Sequence, residues 1–120
     1  MEKIAVLLVQ RQRLPRKQLR RSLDLDGYYV TAVTSLDDAR AQLRDRRYDL
    51  VVCTDRDGGR ESHEALIDDS APLLQTPGLE LYLAGVGVNA HAVLVAPTRD
   101  PHHLRKAVRQ ALSRMSRISA

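Results

Sequence analysis

Short apolar runs alternate with amphipathic stretches along this chain. Ile4–Val9 (I-A-V-L-L-V) is apolar without a break and too short for a buried helix. That pattern suits a strand covered on both faces, as in a parallel sheet. Pro15 then sits where a first helical turn tolerates it, and Leu19 and Leu23 recur one turn apart up to about Leu25. Gly27 is placed to terminate that helix. Tyr28–Val33 is rich in β-branched and aromatic residues and predicts a second strand. Ser35-Leu-Asp-Asp38 has the form of a capping box with Asp in place of Glu, and Leu36, Ala39 and Leu43 follow at helical spacing as far as Arg46 or Arg47. Leu50–Thr54 predicts a third strand, Asp55–Gly59 a turn, and Glu61–Ile67 a short helix. Pro72 and Pro77–Gly78 interrupt the next stretch. Glu80–Ala84 and Ala92–Ala96 read as strands four and five. Asp100–Pro101 opens a final helix as N-cap and first-turn proline, with Leu104, Val108, Ala111, Leu112 and Met115 on its inner stripe. Alternating strands and helices predict a doubly wound α/β domain.

One spacing sits badly with that plan. About seven residues, Gly85 to His91, separate the last two strands. A parallel crossover usually needs a dozen or more, including a helix. An extended segment of seven residues still reaches about 23 Å at ~3.3 Å per residue. An extended crossover is therefore expected in place of a helix, with an antiparallel hairpin as the alternative.

A chain of 120 residues is one domain, 1–120, and buries a core without metal or disulfide. Cys53 is the only cysteine and lies in an apolar run, where it packs more readily than it reacts. Ile4–Val9 is too short for a signal-peptide core, and no apolar run is long enough to span a bilayer. A cytoplasmic protein with no membrane role is expected. Four Tyr and no Phe or Trp leave no aromatic platform for stacking nucleic-acid bases.

The motifs K-I-A-V-L-L-V, L-x-x-x-L-x-L-x-G-Y, Y-D-L-V-V and V-L-V-A-P-x-x-D-P-x-x-L, in this order and spacing, resemble the receiver domain of bacterial response regulators. The resemblance covers the first fifty or so residues and the last thirty. It implies a CheY-like, flavodoxin-like fold with a five-stranded, mainly parallel sheet, and here with the fourth helix missing or replaced by a loop. Receivers use an acidic pair to hold Mg²⁺, an aspartate to accept a phosphoryl group and a lysine to pair with it, because transferred phosphoryl charge needs cations. Carried over, the acidic pair falls on Gln10 and Arg11, the acceptor on Thr54, the lysine on Ala96, and the aromatic switch residue on Val93. No catalytic residue, metal or cofactor is expected: Gln10 and Arg11 offer a hard cation no anionic oxygen. Asp55 lies one residue past the acceptor position. Strand alternation aims it at the opposite face, which favours an exposed turn carboxylate over a shifted acceptor.

Charge is unevenly spread. Met1–Arg21 holds seven Lys/Arg against one acid, Asp49–Ser70 two against seven, and Arg99–Ala120 six against one. In a receiver-like fold the first and last helices lie side by side. Arg13, Arg16, Lys17, Arg20 and Arg21 would then join Arg105, Lys106, Arg109, Arg114 and Arg117 in one basic face. Such a face suits an acidic protein partner, or nucleic-acid phosphate in a weak, salt-sensitive and non-specific mode. A solvated arginine-rich surface explains it equally well. His63, His91, His102 and His103 have no metal-ligand spacing. Gly85-Val-Gly87 lacks the third glycine of a dinucleotide loop. Glu61, Glu64 and Asp68 read as a solvated acidic side.

The expected function is a pseudo-receiver: a phosphorylation-independent signalling or transcription-regulating module acting through protein–protein contact, with self-association through the first and last helices as a further expectation. The alternatives are a receiver phosphorylated on Asp55 or Asp57 and a basic nucleic-acid-associated module. The chain would either work alone or be part of a longer regulator.

Overall fold

The computed structural model describes residues 3–55, 65–68 and 71–119, with side chains to residue 116. Among the described residues six strands and three helices follow in the order β1 (Ala5–Val9), α1 (Arg13–Leu25), β2 (Tyr29–Val33), α2 (Leu36–Asp45), β3 (Tyr48–Cys53), β4 (Leu74–Thr76), β5 (Leu79–Leu83), β6 (Ala90–Val95) and α3 (Pro101–Ser119). They make one sheet in the order β2-β1-β3-β6-β5-β4. The β1–β2, β1–β3 and β3–β6 pairs are parallel. The α/β class, the mainly parallel sheet and a link without a helix between the last two strands are as the sequence predicts.

Alternation within the strands divides the core. Val6, Leu8, Leu50, Val52 and Leu94 point to the face covered by α1 and α3, where Leu19, Leu23, Leu104, Val108 and Ala111 are buried. Leu7, Val9, Val51, Cys53 and Val93 point to the other face, with Ala39 and Leu43 of α2 and the ring of Tyr48. Both faces are covered, which is why these strands carry no polar alternation.

Local chemistry sets the helix ends. The Ser35 hydroxyl accepts the Asp38 N–H at 3.1 Å, but the Asp38 carboxylate takes the Thr34 hydroxyl at 2.7 Å instead of closing a reciprocal box. Asp100 Oδ1 accepts the His102 N–H at 3.0 Å and caps α3. Gly27 follows α1 with φ +93°, the left-handed conformation that a helix stop needs.

Three expectations are corrected. β5 and β6 are antiparallel, with Leu81 opposite Leu94, so the short link is a hairpin and not an extended crossover. Val88 N–H bonds to Gly85 C=O at 3.2 Å, and Gly87 at φ +85° supplies the positive φ of a type II turn. The sheet has six strands, because Pro77–Gly78 is itself a hairpin turn joining β4 to β5, with Gly78 at φ +78°. Of the helix expected over Glu61–Ile67, residues 61–64 lie outside the described set, and Ile67 is not helical but bridges antiparallel to Ala84. Most of the Asp55–Gly59 turn, His63, Glu61 and Glu64 also lie outside it. Among the described residues no helix is long and apolar enough to cross a membrane.

Candidate functional site

The carboxyl ends of β1, β3 and β6 meet, and the parallel ladder runs one residue beyond them. Gln10 N–H bonds to Val33 C=O at 3.1 Å, Thr54 N–H to Val9 C=O at 3.1 Å, and Ala96 N–H to Cys53 C=O at 2.9 Å. This continuation carries Gln10, Thr54 and Ala96 inward; all three are buried. Their side chains do not leave an empty chemical site. Gln10 Nε2 donates to Thr54 Oγ1 at 2.9 Å, and Thr54 Oγ1 donates to the Val9 carbonyl at 2.9 Å. Gln10 Oε1 accepts the Gln12 N–H at 3.0 Å. Among the described residues no buried side-chain polar atom lacks a partner. The network is closed, so nothing in it is poised to react.

Around this floor the loop after β1 is held by charged groups. Arg16 Nη1 donates to the carbonyls of Gln10 and Arg11, each at 3.2 Å. Asp55 Oδ2 accepts the Arg11 N–H at 2.8 Å. An open cleft of about 450 Å³ lies above, lined by Arg11, Gln12, Thr54, Asp55, Pro97, Thr98 and Arg99. Asp55 therefore borders the same cleft as Thr54, not the far side of the sheet. β3 ends at Cys53, so strand alternation no longer fixes its direction. Ala96 stays beneath the surface. Thr98 and Arg99 join the cleft because the loop following parallel strand β6 opens onto this edge. Cys53, just below, is a packing residue: burial, with the Asp55 charge added, pushes its thiol up to about 12.

The expected basic face is assembled only in part. α1 and α3 do pack together. Asp26, in the link after α1, anchors them. Arg105 grips its carboxylate with Nε–Oδ2 at 2.9 Å and Nη2–Oδ1 at 2.6 Å, and Arg109 Nη2 stands 3.7 Å from Oδ1. Arg20 pairs with Asp24 at 3.8 Å, and Arg114 Nε donates to Leu73 C=O at 2.9 Å. Arg16, Arg20, Arg105 and Arg109 are thus engaged within the chain. Arg13, Lys17, Arg21 and Lys106 are exposed and carry no ion pair among the described residues. The Arg117 side chain lies outside the described set.

The hydrogen bond from Arg105 holds the Asp26 carboxyl below its ordinary range; burial opposes this, and the charges of Arg105 and Arg109 reinforce it. A folded-state value below the unfolded one contributes stability above the unfolded pKa of about 3.9, lost as pH falls through the folded value. The side chain of Arg105 is 37% exposed, so solvent screens the pair. Asp26→Asn should cost on the order of 1 kcal/mol at pH 7 and less near pH 3. Urea melts of both proteins at the two pH values measure this; an equal deficit at both would exclude the ionic origin.

No protein-family model matches the chain, and no curated protein does. Among solved structures it is similar to the chemotaxis response regulator CheY4 of Vibrio cholerae. The identity is 18%, the match covers 92% of this chain and 99% of that one, and the TM-score is 0.55. The fold is receiver-like. Its sheet nonetheless departs from the 2-1-3-4-5 order of flavodoxin-like folds. Here the final strand lies directly beside β3, and the β4–β5 hairpin extends the sheet outside it. In this receiver-like fold, Ala96 consequently stands next to Cys53, one strand closer to the β3 end than a last strand would ordinarily be.

Proposed function

We propose that this chain is a receiver-like signalling module that works by protein contact without phosphoryl transfer. One observation carries the reading: the buried Gln10–Thr54–Val9 network fills the place where a receiver assembles its acceptor and metal ligands. Mg²⁺ keeps several waters and is held through one or two carboxylates together with phosphate oxygens. Among the described residues the cleft offers it one carboxylate, Asp55, with Arg11 and Arg99 on the rim. Regulation would then come from a partner that favours one conformation. The exposed cations Arg13, Lys17, Arg21 and Lys106 along α1 and α3 suit an acidic protein surface.

Intact mass after incubation with Mg²⁺ and acetyl phosphate or phosphoramidate tests the reading. No phosphoryl adduct is expected, and beryllofluoride should leave the amides of Thr54 and Asp55 unshifted. A stoichiometric adduct that disappears in Asp55→Asn would overturn it in favour of an unorthodox phospho-switch.

A further inference from the structure

We propose that the cleft at the carboxyl edge of β1, β3 and β6 binds a sugar phosphate without covalent transfer, its phosphate held by Arg11 and Arg99 and its hydroxyls by Asp55. Ligands of open α/β sheets bind at this edge. Arg11 and Arg99 both line the cleft and are exposed, and neither guanidinium makes an ion pair or hydrogen bond among the described residues. Arg105 and Arg109 by contrast share Asp26, and Arg20 has Asp24; Arg13 and Arg21 are also without an ion pair among the described residues but do not line the cleft. Two unanswered guanidinium groups around one concavity present forked donors to a phosphate. Arg16, moored to the carbonyls of Gln10 and Arg11, adds positive charge from behind the loop.

The remaining chemistry narrows the ligand. Asp55 Oδ2 is engaged by the Arg11 N–H, while Oδ1 makes no hydrogen bond among the described residues. A carboxylate oxygen repels a second anion and accepts from hydroxyl groups, so the ligand must bring donors as well as charge. The other nearby carboxylate, Asp100, caps α3 through Oδ1. A volume of about 450 Å³ exceeds what free phosphate fills and lies in the range of small-molecule sites. Among the described residues no aromatic side chain lines the cleft, which favours a sugar over a nucleobase. Gln10 and Thr54 satisfy each other in the floor, so recognition falls to the rim.

The proposal rests on the module working without phosphoryl transfer, and the two fail separately: transfer appears as a covalent mass gain, binding as a reversible shift. The experiment is an amide-resolved NMR titration at fixed ionic strength with ribose 5-phosphate, with ribose and inorganic phosphate as separate arms. Saturable shifts at Arg11, Thr54, Asp55 and Thr98 are expected with ribose 5-phosphate. Arg99→Gln, at an exposed position, should weaken binding at least about tenfold with an unchanged melting profile. Asp55→Asn should erase the preference for ribose 5-phosphate over inorganic phosphate, since it removes the anion that disfavours the smaller ligand. No saturable shift, equal affinity for the two phosphates in the unsubstituted protein, or full affinity in both Arg99→Gln and Arg11→Gln would each overturn the proposal.

Discussion

An aspartate at buried position 54, Thr54→Asp, is expected to destabilise the protein by about 3 kcal/mol at pH 7 and to create no phosphoryl acceptor. The Thr54 hydroxyl is both donor and acceptor, between the Val9 carbonyl and the Gln10 amide. A carboxylate could keep the Gln10 bond. It cannot donate to Val9, and it would set a negative oxygen against a carbonyl that now stands at 2.9 Å. No cation in the described structure enters this floor, since Arg16 bonds to main-chain carbonyls and Arg11 lies on the rim. Burying a charge without a partner is among the few single changes with so large a cost.

The pH dependence identifies the cause. Burial raises the folded-state pKa of the introduced carboxyl above its unfolded value of about 3.9. The folded state then binds the proton more tightly, so the substituted protein is least impaired below pH 4 and loses stability as pH rises through the folded value. Thr54→Val removes the same hydroxyl and leaves Gln10 Nε2 unpaired, a cost of about 1–3 kcal/mol with no such slope. Urea melts of the three proteins from pH 4 to pH 8 distinguish these effects. A Thr54→Asp protein as stable as the original at pH 7 would mean the floor already accommodates a charge, and the pseudo-receiver reading would lose its main support.

What could be read in the sequence follows the range of the forces involved. β1, α1, β2, α2 and β3 were legible because each is a contiguous apolar or periodic run with its own stop signal, such as Gly27 or the Ser35 cap. The final helix announced itself through Asp100–Pro101. Strand direction beyond β3 was not legible. Periodicity says which face a residue takes, not which neighbour its strand pairs with or in which sense. Pro77–Gly78 therefore looks like an interruption in the sequence, whereas in the fold Gly78 at φ +78° closes a hairpin and Leu74–Thr76 is a strand. The same limit affected the site. Gln10, Arg11, Thr54 and Asp55 are brought together as residues at the ends of adjacent parallel strands should be, and Gln10 and Thr54 proved to be partners of each other. Arg99 was hidden because its place depends on β6 pairing with β3. Charge counting overstated the basic face, since Asp26 lies in a short link that nothing marked as the anchor for Arg105 and Arg109.

The unconventional position of β6 gives the second large effect. Leu94→Ala is expected to destabilise the protein by about 3 kcal/mol, within the 2–5 kcal/mol typical of buried leucine truncations. Leu94 is fully buried, between Val52 of β3 and Leu81 of β5, and belongs to the cluster that seats Leu104 and Val108 of α3. In the 2-1-3-4-5 order the last strand is an edge, where one flank of such a residue is open. Here it is interior, and removing its side chain leaves a cavity walled by two strands and a helix. Leu83→Ala is the control: Leu83 lies at the end of β5, is 37% exposed, and should cost less than about 1 kcal/mol. A domain of this size is held by only about 5–15 kcal/mol, so the first change should shift the denaturation midpoint clearly and the second barely. If the two substitutions cost the same, β6 would not be the central strand that places Arg99 above Thr54, and the cleft itself would need to be redrawn.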